Sequence, residues 1–152
     1  MDGTLIITGA NGGLGSAIVS QIVRSPEYSK LYGIYAVRDT STATALKAVL
    51  GGQTNGNNNY EILGLDLSQL ADVRRFAAQI NHQVAAGQLP PIRALVLNAG
   101  FQEHLAQTIS KDGLDMSFQV NYLAHFLLTA LLLQSMDKGK GRILVIGSWL
   151  HE

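Results

Sequence analysis

Thr8-Gly9-Ala10-Asn11-Gly12-Gly13-Leu14-Gly15 decides the fold of this chain. An apolar run, Thr4-Leu5-Ile6-Ile7, precedes it, and Leu14, Ile18 and Ile22 follow at helical spacing. The order is strand, glycine turn, helix start. Glycine has no Cβ, so Gly9, Gly13 and Gly15 let the backbone bend tightly and approach a ligand closely. A helix start adds unpaired N–H groups and the positive end of a dipole, which together suit a diphosphate. The spacing is T-G-x-x-x-G-x-G, a narrower pattern than the G-x-G-x-x-G of the usual dinucleotide turn. The competing reading is a turn that only packs helix on strand.

Outward from this turn, strand and helix patterns alternate. The first helix runs to about Ser25, where Ser25-Pro26 favours a stop. Leu31 to Val37 reads as a second strand and Thr40 to Leu50 as a second helix. Gly51 to Asn59, rich in Gly and Asn, reads as a surface loop. Tyr60 to Leu67 is the third strand, with Ser68 as cap of the next helix. Val73, Phe76, Ala77, Ile80 and Val84 give that helix one apolar face, and Gly87 with Pro90-Pro91 ends it. Ile92 to Leu97 is a fourth strand, apolar almost throughout, as a parallel strand covered on both faces should be.

Leu114 to Met136 reads as one long helix. One side carries Leu114, Phe118, His125, Leu128 and Leu132; another carries Met116, Val120, Leu123, Leu127 and Leu131. So many apolar sides predict burial beyond the sheet face and a subunit partner. Arg142 to Gly147 is the fifth strand. The alternation predicts an α/β doubly wound parallel sheet in a single domain spanning residues 1–152.

Composition narrows the function classes. Eleven basic and eleven acidic residues cancel and no basic tract is present, which argues against nucleic acid or an anionic membrane as main partner. With no cysteine there is neither a disulfide framework nor a thiolate metal site. His104, His125 and His151 lack convergent carboxylate spacing and read as surface or packing residues, with His82 on the polar side of its helix. The chain enters its first strand almost at once, and Leu123 to Leu133 is too short to span a bilayer, so a cytoplasmic protein is expected.

The glycine turn, Asp66-Leu67 after the third strand, Asn98-Ala99-Gly100 after the fourth, Asn121 in the long helix and Ser148 after the fifth occur in the order of a known family. Together they resemble the short-chain dehydrogenase/reductase family. Asp112-Gly113-Leu114 is similar to the branch of retinol dehydrogenases and protochlorophyllide reductases, which also resembles fungal reductases of secondary metabolism. The resemblance implies a Rossmann-type sheet of strand order 3-2-1-4-5 and hydride transfer between a nicotinamide cofactor and a carbonyl or alcohol. It implies cofactor binding at Thr8, Gly9, Asn11, Gly13, Leu14 and Gly15, with Asp66 on the adenine amino group and the backbone of Leu67 assisting. Asn98, Ala99 and Gly100 pass close to the cofactor, and Asn98 also braces the neighbouring strand. Arg38 ends the second strand, where the adenosine ribose lies, and an arginine there matches a 2′-phosphate. That implies NADP, with Asp39 keeping NAD as the alternative. Asn121 and Ser148 are the implied catalytic residues, holding a water and a substrate carbonyl.

The family's reaction also needs a tyrosine and a lysine four residues later. The tyrosines are Tyr28, Tyr32, Tyr35, Tyr60 and Tyr122, and Tyr32, Ala36, Asp39, Gly64 and Phe126 stand four residues beyond them. No Tyr-x-x-x-Lys is present, and the fold expected is one lacking the family's C-terminal strands and helices. Three readings stay open: a truncated reductase, a non-catalytic NADP(H)-binding module, and a partner that pairs with a full-length homologue. A homo-oligomer, or pairing through the 114–136 helix, is the expected association.

Overall fold

The computed structural model describes residues 1–52, 59–103 and 106–148. Most of the loop expected at Gly51–Asn59 lies outside them, as do His104 and His151. Five strands, β1 (Thr4–Thr8), β2 (Tyr32–Val37), β3 (Tyr60–Gly64), β4 (Ile92–Leu97) and β5 (Arg142–Val145), form one parallel sheet. Their spatial order is β3-β2-β1-β4-β5, the order the resemblance implies. Four helices connect them: α1 (Gly13–Arg24), α2 (Thr44–Gly51), α3 (Leu70–Ala85) and α4 (Met116–Ser135).

Alternation along the strands divides the core. Leu5, Ile7, Tyr35 and Val37 point to one face, with Val19, Leu46 and Leu50 from α1 and α2. Ile6, Ile34, Ala36, Leu95 and Leu97 point to the other, with Phe76 and Ile80 from α3 and Leu128 and Leu132 from α4. Right-handed crossovers require this split, because the chain moves outward in opposite directions from β1 and from β4. Both β1 and β4 follow a near-continuous apolar pattern because each faces a helix layer on both sides.

Several boundaries differ from the sequence expectation, each for a local reason. The second helix begins at Thr44 and not Thr40, because Ser41 donates its N–H and hydroxyl to Asp39 Oδ1 at 2.8 and 2.6 Å. That turn delays the helix. The third strand stops at Gly64 and not Leu67: its neighbour β2 ends at Val37, whose carbonyl takes the N–H of Leu65 at 2.8 Å. The fifth strand stops at Val145, although Ile146 N–H still reaches Leu97 O at 2.9 Å.

Ser68 does not cap α3. Its hydroxyl donates to Asp66 Oδ1 at 2.6 Å, and the first N–H of the helix, on Leu70, is taken by Asp112 Oδ2 at 2.7 Å. A carboxylate 42 residues along the chain therefore supplies the cap.

The long helix is continuous but not uniform: Gln119–Leu123 forms a π turn. The extra residue in that turn rotates the residues before it relative to those after it. Val120, Ala124, Leu128 and Leu132 are buried, whereas Phe118 is 49% exposed although seven residues before buried His125. The expected face with Phe118, His125 and Leu132 together is thus broken by the π turn. On the outer side Phe118, Tyr122 and Phe126 form a row, the first pair tilted with ring centroids 5.6 Å apart and the second stacked at 6.3 Å. By length and composition the 20 residues Met116–Ser135 suffice to cross a membrane, a wider window than Leu123 to Leu133. Here the helix instead packs one side on the sheet and α3.

Candidate functional site

The C-terminal ends of β1, β2 and β4 and the chain just past β3 open onto one cleft of about 740 Å³. Thr8, Gly9, Asn11, Gly13, Leu14, Gly15, Arg38, Asp66, Leu67, Asn98, Ala99 and Gly100 all line it. Val37, Thr42, Phe101, Met116 and Val120 also line it, and the sequence did not single them out as site residues. These are ordinary apolar or small polar residues, so only their position at strand and helix ends could have pointed to them.

The glycines divide by role. Gly9 has a φ of +66°, and a Cβ on it would lie 2.8 Å from Ala99 Cα. A Cβ on Gly15 would lie 2.1 Å from Gly9 O. Both are required by the chain itself, where two turns meet at backbone contact. Gly13 is different: it lines the cleft, and a Cβ there would meet nothing within 4 Å. Helix α1 starts at this glycine with Gly12 as N-cap, no side-chain cap and no acidic residue in its first turn. Its first N–H groups and dipole end face the cleft side, with no side-chain cap and no acidic residue of the first turn to offset them. This open cradle fits the diphosphate of a dinucleotide.

At the end of β2 Arg38 is exposed. The ion pair among the described residues is Arg75–Asp72, so the Arg38 guanidinium is not committed to one. Asp39 is committed, through its bonds from Ser41, and these hold its carboxyl below the usual range. Asp66 lies close enough to feel the Arg38 charge. Burial opposes its ionisation, but hydrogen bonds from Ser68 and Gln69, helped by Arg38, prevail and hold its pKa below the ordinary value. Asn11 turns its amide to α2 and away from a free role: Oδ1 accepts the N–H of Leu46 at 3.0 Å and Nδ2 reaches Thr42 O at 3.4 Å. It ties the glycine turn to the second helix.

At the other end Asn98 Nδ2 donates to Thr8 O at 3.0 Å and Gly9 O at 3.3 Å, the bracing expected of it. Thr8 Oγ1 accepts the N–H groups of Asn98 and Ala99, both at 3.0 Å, so strand ends β1 and β4 are pinned side by side. Asn121 and Ser148, the expected catalytic pair, are not part of the cleft wall. Asn121 is exposed, and its amide is satisfied by one neighbour. Phe101 N–H donates to its Oδ1 at 2.7 Å, and its Nδ2 donates to Phe101 O at 2.8 Å. Ser148 is exposed beyond the end of β5. Tyr35 is buried in the core, and burial, helped by Tyr60, pushes its hydroxyl up to about 12. His125 is a buried packing residue, one of the two readings expected of it, and its Nε2 also makes a contact that spacing does not show, 3.0 Å from Thr8 Oγ1. Sequence reasoning missed that contact, although a histidine four residues after Asn121 in an apolar helix was a signal. Among the described residues no cluster of His, Asp or Glu suits a metal ion.

A family profile described as short chain dehydrogenase matches residues 3–151. The chain is 56% identical over 152 residues to the short-chain dehydrogenase iccH of Talaromyces variabilis, covering 99% of this chain and 42% of that protein. It is 36% identical to protochlorophyllide reductase A of Oryza sativa subsp. japonica, over 96% of this chain and 36% of that protein. A metagenomic short-chain oxidoreductase superposes with a TM-score of 0.73 at 24% identity, covering 97% of this chain and 62% of that one, which shows the shared fold. The chain thus spans less than half the length of the curated relatives it matches. A glycine turn built for close backbone approach, the strand order and a match over nearly every residue agree: the chain belongs to the short-chain dehydrogenase family.

Proposed function

We propose that the cleft binds NADP(H) and that the chain serves an oxidoreductase acting on a carbonyl or alcohol. The observation that carries this reading is the uncapped start of α1 at Gly13, open to the cleft, with uncommitted Arg38 at its adenosine end. The first turn of α1 would hold the diphosphate, Arg38 the 2′-phosphate and Asp66 the adenine. Asn98 and Ala99 set the floor on which the nicotinamide half would lie. Bound nicotinamide supplies or accepts the hydride. The residues of this chain bind and orient the dinucleotide and, with apolar Met116 and Val120 in the wall, keep water from part of the cleft. Asn121 holds the segment after β4 in place, and Ser148 is assigned to the substrate carbonyl. Identity of 56% to a fungal dehydrogenase and 36% to a protochlorophyllide reductase supports placing the chain near those branches.

The test separates the two cofactors. NADPH and NADH are titrated against the wild-type chain and Arg38→Ala. Loss of a charge-assisted phosphate contact should weaken NADPH binding about tenfold or more, while NADH binding stays near its original value. Equal losses for both would remove Arg38 from the 2′-phosphate.

A second reading is favoured by the exposed row Phe118, Tyr122 and Phe126 on α4. On it the chain is a binding module that pairs, through this helix, with another copy or a full-length homologue.

A further inference from the structure

His125 lies outside the cleft wall yet touches the framework at both ends. Its Nε2 is 3.0 Å from Thr8 Oγ1. That oxygen already accepts two N–H groups, from Asn98 and Ala99. A hydroxyl has two acceptor sites and one proton. With both acceptor sites taken, the Thr8 proton must point at the imidazole, so Nε2 is the acceptor. The ring proton then sits on Nδ1, on the side where the Asn121 backbone favours a proton on the ring while burial opposes a second one. The tautomer follows from hydrogen-bond arithmetic.

The links continue from Asn121, whose amide pairs with both the N–H and the C=O of Phe101. A closed ring results, running from Thr8 through His125, Asn121, Phe101, Gly100 and Ala99 back to Thr8. The segment 98–101 forms one wall of the cleft. Thr8 holds its first two residues and Asn121 its last, and the imidazole ties those two holders together. The packing at this point leaves little slack, as the 2.8 Å from a Gly9 Cβ to Ala99 Cα shows.

We propose that His125 is a positioning residue, which as the Nδ1–H tautomer locks the Thr8 hydroxyl and Asn121 so that residues 98–101 are set for dinucleotide binding. This rests on the dinucleotide reading above. Replacing the ring by an apolar side chain leaves the buried Thr8 proton without an acceptor, and Thr8 is then free to turn away from Asn98 and Ala99.

The test combines nitrogen NMR of the histidine rings with NADPH titration of the wild-type chain, His125→Leu, His125→Gln and Thr8→Val. The wild-type ring should show an unprotonated Nε2, with a resonance that moves in Thr8→Val. His125→Leu should weaken NADPH binding about tenfold, the effect of one buried hydrogen bond. His125→Gln, whose side-chain oxygen reaches the Nε2 position, should recover most of that loss. Thr8→Val combined with His125→Leu should be no weaker than the weaker single variant. A protonated Nε2, or equal affinity for the Leu and Gln variants, overturns the positioning role. Should His125→Leu not fold, the wild-type tautomer and the Gln variant still decide. A wild-type chain with the expected tautomer that binds no NADPH overturns the dinucleotide reading instead.

Discussion

Gly13 and Gly15 stand two residues apart and answer to different constraints. A methyl group on Gly15 would overlap the Gly9 carbonyl at 2.1 Å, and that carbonyl is backbone that cannot step aside. Gly15→Ala should therefore cost about 3 kcal/mol or more in urea unfolding, as overpacking of a tight core site does. A methyl on Gly13 meets no protein atom. Gly13→Ala should leave stability within about 1 kcal/mol of the wild type, since alanine is the better helix former. The same methyl would stand in the cradle assigned to the diphosphate, so NADPH affinity should fall. The pair of variants separates fold from binding: a Gly13→Ala chain that binds NADPH normally would empty the cradle of its role. The third glycine of the motif, Gly9, belongs with Gly15, because its φ of +66° and its contact with Ala99 admit no side chain.

Among the elements, α3 depends on a residue far outside itself. Asp112 Oδ2 accepts the N–H of Leu70 at 2.7 Å and also the Gln119 Nε2 at 2.7 Å. Gln119 is fully buried and in turn accepts from the Ser110 hydroxyl. One carboxylate thus joins the start of α3, the turn before α4 and the first residue of the π turn. Asp112→Ala should destabilise the chain by about 1–2 kcal/mol through loss of the cap and of a buried amide's partner. Asp112→Asn keeps an acceptor oxygen and should cost less; equal unfolding midpoints for all three chains would refute the cap. The π turn has a comparable reach. By adding a residue between Phe118 and Ala124 it lets the row Val120, Ala124, Leu128 and Leu132 face the core while Phe118, Tyr122 and Phe126 face outward. Periodicity at 3.6 residues cannot register such a turn, so the sequence placed Phe118 and His125 on one face.

For the whole molecule, the sheet is unevenly covered. Ile143, Leu144, Val145 and Ile146 are 41%, 46%, 71% and 41% exposed. Neighbouring β4 is protected, as its near-continuous apolar sequence implies, with Leu95, Val96 and Leu97 all buried. The exposed apolar surface is therefore concentrated on β5 and on the outer row of α4. An unpaired parallel edge and an apolar patch of this kind invite association. The 152-residue chain should self-associate or aggregate on purification. Light scattering with thermal unfolding checks this, and a monodisperse monomer with a cooperative transition would contradict it. If the row on α4 carries the association, Tyr122→Glu should lower the mass without lowering NADPH affinity.

Local features were legible in the sequence because they are written in neighbouring residues. Thr4–Thr8 with its glycine turn, the apolar face Val73, Phe76, Ala77 and Ile80, and the run Ile92–Leu97 each declare an element by composition and period alone. The family pattern added the strand order, and crossover handedness then set which helices share a face. What only the tertiary structure decided are polar pairings across long stretches of chain. Asn11 turns to Leu46, Asp112 to Leu70, Asn121 to Phe101 and His125 to Thr8, at separations of 35, 42, 20 and 117 residues. Apolar residues reveal their destination by periodicity, since any core accepts them. A buried polar atom is satisfied only by a particular partner at hydrogen-bond distance, and that partner is brought there by the packed sheet and helices.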